Sequence, residues 1–122
     1  MNDPAPWSVL IIDDEQDIRE VTAMTLMDSG FIVETAADGI EGIAAIRAGK
    51  GELVFLDLNM PNLDGYGVLQ VIAQEGLRCR VIVVSGDVQP EARARVMLAG
   101  AHDFGTLWIS ERHQGRSMGS LS

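Results

Sequence analysis

The amino-acid sequence predicts an α/β fold in which a parallel sheet is covered by helices on both faces. Short apolar runs alternate with segments of helical periodicity, an order that implies βαβ units. The apolar runs are nearly continuous, as in strands that are buried on both faces. The chain has 122 residues, of which 47% are hydrophobic and 22% charged, which suits one globular domain with one core.

The first half of the chain contains three predicted strands and two predicted helices. The first helix ends at Gly30 and is expected to bury one side, formed by Ile18, Val21, Thr22, Thr25 and Leu26. Asp38 is placed to cap the second helix, which Gly49 and Gly51 end. The three strands are predicted at residues 8–12, 31–35 and 53–56.

The second half repeats the alternation of helix and strand. A helix is predicted from Gly67 to Gln74, and Pro90 begins another that runs to about Leu98. Gly100 ends that last helix. The fourth and fifth strands are predicted at residues 80–84 and 101–107.

Charge and composition exclude several classes of function. A formal net charge of −9 argues against broad contact with nucleic acid or anionic lipid. No apolar run is long enough to cross a bilayer, and residues 1–7 lack the pattern of a signal peptide, so we expect a cytoplasmic protein. Cys79 is the single cysteine and the two histidines are isolated, which excludes an internal disulfide and disfavours a zinc site.

Acidic residues follow two of the predicted strands. Asp13 and Asp14 come directly after the first strand, and Asp57 comes after the third. If these strands are neighbours, the carboxylates converge, because sites in such sheets lie beyond the carboxyl ends of the strands. Three close anions need a counter-charge, and a hard divalent cation such as Mg²⁺ prefers oxygen ligands. The sequence therefore predicts a metal and, with it, a phosphoryl ligand.

Asp57 is the candidate nucleophile, since aspartyl carboxylates form acyl phosphates with a metal neutralising the phosphate oxygens. Ser85 would offer a hydroxyl to a phosphate oxygen, and Gly86 would let its backbone N–H approach closely. A simpler interpretation stays open for each acidic segment. Asp13 and Asp14 can belong to the acidic first turn of a helix, and the segment from Asp57 can be an ordinary Pro/Gly loop.

Four segments together resemble the receiver domain of two-component response regulators. They are residues 9–15 (VLIIDDE), 54–65 (VFLDLNMPNLDG), 81–86 (VIVVSG) and 100–104 (GAHDF). The likeness covers the chain from about Val9 to Phe104, with the segments in the order and spacing of the family. It implies a flavodoxin-like, doubly wound five-stranded parallel sheet of order 2-1-3-4-5.

The resemblance also implies a role for each site residue. Asp57 corresponds to the phosphoacceptor, Ser85 to the switch hydroxyl and Phe104 to the switch aromatic, for which a static core position is the alternative. Asp14, Asp57 and the backbone carbonyl of Asn59 correspond to Mg²⁺ ligands, and Asp13 would act through metal-bound water. Mn²⁺ is expected to substitute for Mg²⁺. The implied partner is a histidine kinase or phosphotransfer protein, and the chain is expected to be a phosphoacceptor rather than a conventional enzyme.

One family position is altered. Receiver domains carry a Lys-Pro pair shortly after the aromatic, where this chain has Leu107 and Trp108. The chain has a single lysine, Lys50, which should lie at the opposite end of the sheet. A charge-assisted hydrogen bond is worth roughly 1.5–3 kcal/mol and allosteric coupling about 1–3 kcal/mol. We therefore expect phosphorylation to persist while the conformational switch is weakened.

The C-terminal segment departs from the family as well. Residues 108–122 contain Gly115 and Gly119 and continue no apolar stripe, so we expect the domain to span 1–107 and the rest to be an irregular tail. The fifth helix of the family would then be absent or altered. Loss of its cover predicts self-association, with a homodimer through the fourth-helix and fifth-strand face as one form.

Two other functions remain open from the sequence. A degenerate receiver would act as a binding surface without phosphorylation, and the missing lysine favours it. A Mg²⁺-dependent phosphohydrolase would use Asp57 as a transient nucleophile, but Asn59 stands where a general acid would be needed, and the chain leaves no room for a cap domain.

Overall fold

The computed structural model describes residues 7–85, 90–98, 100–101 and 103–106. Gly86, Leu107, Trp108 and the predicted tail lie outside the described residues, so the predictions about them are not addressed by the fold.

The described chain alternates strands and helices from one end to the other. The strands are β1 (Ser8–Ile12), β2 (Ile32–Ala36), β3 (Leu53–Leu56), β4 (Arg80–Ser85) and β5 (Asp103–Thr106). The helices are α1 (Gln16–Asp28), α2 (Gly39–Arg47), α3 (Gly65–Glu75) and α4 (Pro90–Leu98). These bounds confirm β1 and β3 as predicted and place the other elements within a few residues of their predicted limits.

The five strands form one parallel sheet in the order β2-β1-β3-β4-β5, which confirms the predicted topology. β1 pairs with β3 so that Ile12 lies beside Leu56, and β3 pairs with β4 so that Leu56 lies beside Val83. This register brings the carboxyl ends of β1 and β3 to the same edge of the sheet.

Two apolar layers sandwich the sheet. The larger layer joins one sheet face to α2 and α3, through Leu10, Leu56 and Val68, all of which are buried. The other layer joins the opposite face to α1 through Ile11, Leu26 and Phe55. β1 and β3 contribute to both layers, which explains why their sequences are continuously apolar.

Three local details differ from the predictions. α3 begins at Gly65, two residues earlier than predicted, because the Asp64 carboxylate accepts the backbone N–H of Gly67 at 2.8 Å and caps the helix there. In α1 the buried residues are Thr22, Ala23 and Leu26, whereas Val21 is 43% exposed. β2 is an edge strand, so Ile32 is largely exposed although it belongs to an apolar run.

The caps of α2 are those expected from the sequence. The Asp38 carboxylate accepts the backbone N–H of Glu41 at 2.8 Å. Gly49 and Gly51 follow the helix with φ of 84° and 83°, a region that glycine adopts without steric cost. Within the described part of the chain, no helix is long and apolar enough to cross a membrane.

Candidate phosphoacceptor site

The site begins where β1 and β3 end. The backbone N–H of Asp57 donates to the Ile12 carbonyl at 3.0 Å, and the N–H of Asp13 donates to the Ala36 carbonyl at 3.1 Å. These bonds extend the ladder just beyond the strands. Asp13 and Asp57 are therefore held on adjacent strands at one edge of the sheet.

Three carboxylates meet at this edge. One side-chain oxygen from each of Asp13, Asp14 and Asp57 lies within 4.8 Å of the others. Asp13 is 8% exposed, Asp57 is half-buried and Asp14 is exposed. These three side chains converge as the sequence predicts, because the register of β1 and β3 brings them together.

The electrostatics of the cluster follow from this arrangement. Burial is the main cause that raises the pKa of Asp57, and the negative charges of Asp13 and Asp14 add to it; the backbone N–H groups of Asn59 and Leu58 oppose the rise, and the resulting pKa is about 7. Burial also raises the pKa of Asp13 above its usual value. Both shifts mean that the ionised cluster is unfavourable without a positive charge beside it.

Asp13 has a structural role in addition to its place in the cluster. Its Oδ1 accepts the backbone N–H of Glu15 at 2.9 Å, just before the first residue of α1. Asp13 and Asp14 both precede α1, so they do not belong to its first turn, although one oxygen of Asp13 stabilises the turn that leads into the helix. The Asp57 carboxylate likewise accepts backbone N–H groups of the residues that follow it, Asn59 and Leu58, while α3 itself is capped by Asp64.

The remaining predicted residues lie at the same edge of the sheet as far as the structure describes them. Asn59 is exposed and follows Asp57 by two residues. Ser85 is the last residue of β4, two residues beyond Val83, the partner of Leu56. Phe104 lies in β5, paired with Val83. Gly86 lies outside the described residues.

Lys50 lies at the opposite edge of the sheet, as predicted. It precedes β3 by three residues, and its Nζ forms an ion pair with Glu34 at 3.2 Å. The single lysine of the chain is therefore engaged far from Asp57 and does not supply an ammonium to the carboxylate cluster.

Two residues near the site were not singled out from the sequence. Gly65 lies so close to the strand-end loop that an added Cβ would stand 2.6 Å from the Asp57 carbonyl oxygen. Arg19 donates from Nη1 to the Asp13 carbonyl at 2.7 Å. The position of Gly65 directly after a helix cap is a sequence signal that could have identified it. The contact of Arg19 depends on how α1 packs, so the sequence carries no clear signal for it.

Comparison with known proteins identifies the family. The model for the response regulator receiver domain matches residues 9–106. The chain is 33% identical over 104 residues to a probable transcriptional regulatory protein, TcrX, of Mycobacterium tuberculosis, covering 85% of this chain and 44% of that protein. The chain spans less than half the length of the first three curated relatives, between 22% and 44%.

Solved structures give the same result. The chemotaxis protein CheY4 of Vibrio cholerae superimposes with a TM-score of 0.81 and 25% identity, covering 97% of this chain and all of that one. The CheX-CheY-BeF₃-Mg²⁺ complex from Borrelia burgdorferi contains a chain that superimposes with a TM-score of 0.77 and 26% identity. The match covers 96% of this chain and 91% of that one. Receiver domains are signalling modules rather than conventional enzymes. The chain belongs to the response regulator receiver domain family.

Proposed function

We propose that this domain accepts a phosphoryl group on Asp57 with the help of a bound Mg²⁺, as part of a two-component phosphorelay. The observation that carries the proposal is the meeting of three carboxylates within 4.8 Å at the carboxyl ends of β1 and β3. Burial, together with the negative charges of Asp13 and Asp14, raises the pKa of Asp57 to about 7. A site that keeps such a cluster together is suited to a divalent cation.

The donor set fits Mg²⁺. All three side chains offer carboxylate oxygens, the ligands that this ion prefers, and the exposure of Asp14 leaves space for metal-bound water. In our proposal Asp14, Asp57 and the Asn59 carbonyl hold the ion, while Asp13 acts through water. When bound, Mg²⁺ neutralises charge on the transferred phosphoryl oxygens. A structurally similar protein was solved in a complex that contains BeF₃ and Mg²⁺, which supports the choice of Mg²⁺ as the ion. Substitution by Mn²⁺ stays a prediction.

The reaction assigned to Asp57 is a direct phosphoryl transfer. A carboxylate oxygen of Asp57 attacks phosphorus, the P–N bond of a phosphohistidine breaks, and the departing imidazole nitrogen takes up a proton. The attacking carboxylate must be ionised, so the positive charge of the metal, which lowers its pKa, favours the reactive form. The donor would be a histidine kinase or phosphotransfer protein.

The proposal includes a weakened conformational switch. Ser85 and Gly86 would contact the phosphoryl oxygens, and Phe104 would respond to the position of Ser85. Leu107 stands where the family has lysine, and the lost charge-assisted bond, roughly 1.5–3 kcal/mol, is comparable to a typical coupling energy of about 1–3 kcal/mol. That substitution favours one alternative, a phosphorylation-independent binding surface. We regard a phosphohydrolase as less well supported.

Other assignments follow from the family and are proposals as well. The protein would act in the cytoplasm without binding nucleic acid through this domain. A domain of residues 1–107, a tail of 108–122 and self-association through the fourth-helix and fifth-strand face stay predictions.

Incubation with acetyl phosphate and Mg²⁺, followed by intact-mass measurement, tests the proposal. The parent should gain one phosphoryl group, as the P–O bond of acetyl phosphate breaks and acetate departs. Asp57→Asn should gain none. Asp38→Asn is the matched control, because the same substitution there keeps a good helix cap away from the cluster and should leave labelling intact. A folded parent that gains no phosphoryl group would contradict the proposal and favour the binding surface.

A further inference from the structure

Arg19 makes a contact that the proposed reaction does not by itself require. It lies in the first turns of α1, and its Nη1 donates to the Asp13 backbone carbonyl at 2.7 Å in a partly buried position. Asp13 comes directly after β1, so its carbonyl lies where the sheet ladder stops. A buried carbonyl at this point needs a partner from outside the sheet.

Three contacts fix Asp13 in place. Its N–H donates to the Ala36 carbonyl at 3.1 Å, its Oδ1 accepts the Glu15 N–H at 2.9 Å, and its carbonyl accepts from Arg19. The first contact belongs to the sheet and the second to the turn. The third is the one that ties the strand end to the body of α1.

The charge of Arg19 has a second effect at the same place. Burial raises the pKa of Asp13 and the negative charges of Asp14 and Glu15 add to the rise, while the positive charge of Arg19 opposes it in part. Three other cationic side chains are engaged away from the cluster, since Arg47 pairs with Glu75, Lys50 pairs with Glu34 and Arg95 lies over the Tyr66 ring. Arg19 thus combines a positive charge with a directional hydrogen bond next to the carboxylate cluster.

We propose that Arg19 is a positioning residue of the phosphoacceptor site, which holds the turn after β1 so that Asp13 and Asp14 face Asp57. The inference rests on the proposed function. Arg19 contacts the backbone of Asp13 and not the reacting atoms, so it acts through the orientation of two metal-binding carboxylates. Residues that orient metal ligands are commonly worth a factor of ten or more in metal affinity.

The direction in which Mg²⁺ affinity changes when Arg19 is substituted separates a positioning role from a purely electrostatic one. Removal of a positive charge near the cluster should, by charge alone, make the site bind a cation more tightly. Removal of the hydrogen bond should loosen the turn and weaken binding. Positioning therefore predicts weaker Mg²⁺ binding after Arg19→Gln, against the direction expected from charge.

The test is Mg²⁺ binding by calorimetry to the full chain and its variants. Arg19→Gln should bind Mg²⁺ about tenfold more weakly than the parent. Arg19→Lys, which keeps a cationic donor on a single-point head group, should fall between them. Arg47→Gln is the matched control on α2 and should bind like the parent. Unchanged or tighter binding by folded Arg19→Gln would overturn the inference.

A second readout needs no metal. Amide hydrogen exchange of Glu15, whose N–H is bonded to Asp13, should be faster in metal-free Arg19→Gln than in the parent, with Arg19→Lys between them. Unchanged exchange would overturn the inference even if the parent binds Mg²⁺. Conversely, a parent that binds no Mg²⁺ contradicts the proposed function, while Glu15 exchange still tests Arg19. If Arg19→Gln does not fold, Arg19→Lys is compared with the parent instead. Faster exchange of the Glu15 amide in Arg19→Lys supports the inference, and unchanged exchange overturns it.

Discussion

The two edges of the sheet carry charge in opposite ways. At the carboxyl-terminal edge, Asp13, Asp14 and Asp57 bring like charges within 4.8 Å of one another. At the amino-terminal edge, where α2 and α3 end and β3 begins, Glu75 is bonded to Arg47 and Glu34 to Lys50. One edge concentrates negative charge, whereas at the other Glu75 and Glu34 are each paired with a cation.

The pKa values report this difference. At the amino-terminal edge, the bond from Arg47 lowers the pKa of Glu75, so the ionised form is favoured in the folded chain. At the carboxyl-terminal edge, burial and like charges raise the pKa of Asp57 to about 7. The carboxylate cluster therefore costs folding free energy, as expected for a site arranged for a ligand rather than for stability.

The largest effect should appear in the pH dependence of stability. The pKa of Asp57 is about 7 in the folded chain, against 3.8 as its usual value. Between these values the unfolded chain has released a proton that the folded carboxyl keeps, so stability falls as pH rises and levels off above pH 7. Because solvent screens the half-buried carboxyl, the loss of stability across this window should be smaller than the full pKa difference would give, but it should still be the largest of the effects compared here.

Urea unfolding of metal-free protein across this pH range measures the effect. Asp57→Asn has no charge to acquire and should lose less stability than the parent between low and high pH. If both proteins show the same pH dependence, the carboxylate cluster is less strained than its geometry indicates.

A smaller loss of stability is expected from steric crowding at the carboxyl-terminal edge of the sheet. Gly65→Ala places a Cβ 2.6 Å from the Asp57 carbonyl oxygen and 2.8 Å from the Leu58 Cα, both of which are backbone atoms. The chain must shift, at a cost of about 1–3 kcal/mol, and labelling of Asp57 by acetyl phosphate should slow.

Gly67→Ala is the matched control for that substitution. It lies on the same helix, but its Cβ would meet the flexible side chain of Leu63. The free energy of unfolding from urea titration should therefore fall less than for Gly65→Ala. An equal loss in both variants would mean that the loop next to Asp57 is not specially constrained.

The smallest effect is expected at the amino-terminal edge. Glu75→Gln removes the carboxylate that pairs with Arg47, but this pair is exposed, and exposed ion pairs add little to stability. The urea midpoint and the rate of Asp57 labelling should both match the parent within error. A clear loss of either would show that the two edges are coupled through α2 or α3.

The sequence by itself determined the elements whose signals are local. β1 and β3 are buried on both faces, so their apolar runs are continuous and their bounds are as predicted. Asp38 caps α2 as expected, because a cap depends on residues three positions apart. The strand-end positions of Asp13, Asp14 and Asp57 were likewise visible, and the resemblance to receiver domains supplied their order in the sheet.

Only the tertiary structure decided what depends on residues distant in the chain. The pairing of β1 with β3 turns two separate acidic segments into one cluster and raises the pKa of Asp57. The packing of α1 buries Ala23 instead of Val21 and brings Arg19 to the Asp13 carbonyl. Local periodicity cannot fix such contacts, because the rotation of a helix and the distance between strand ends are set by packing across the whole core.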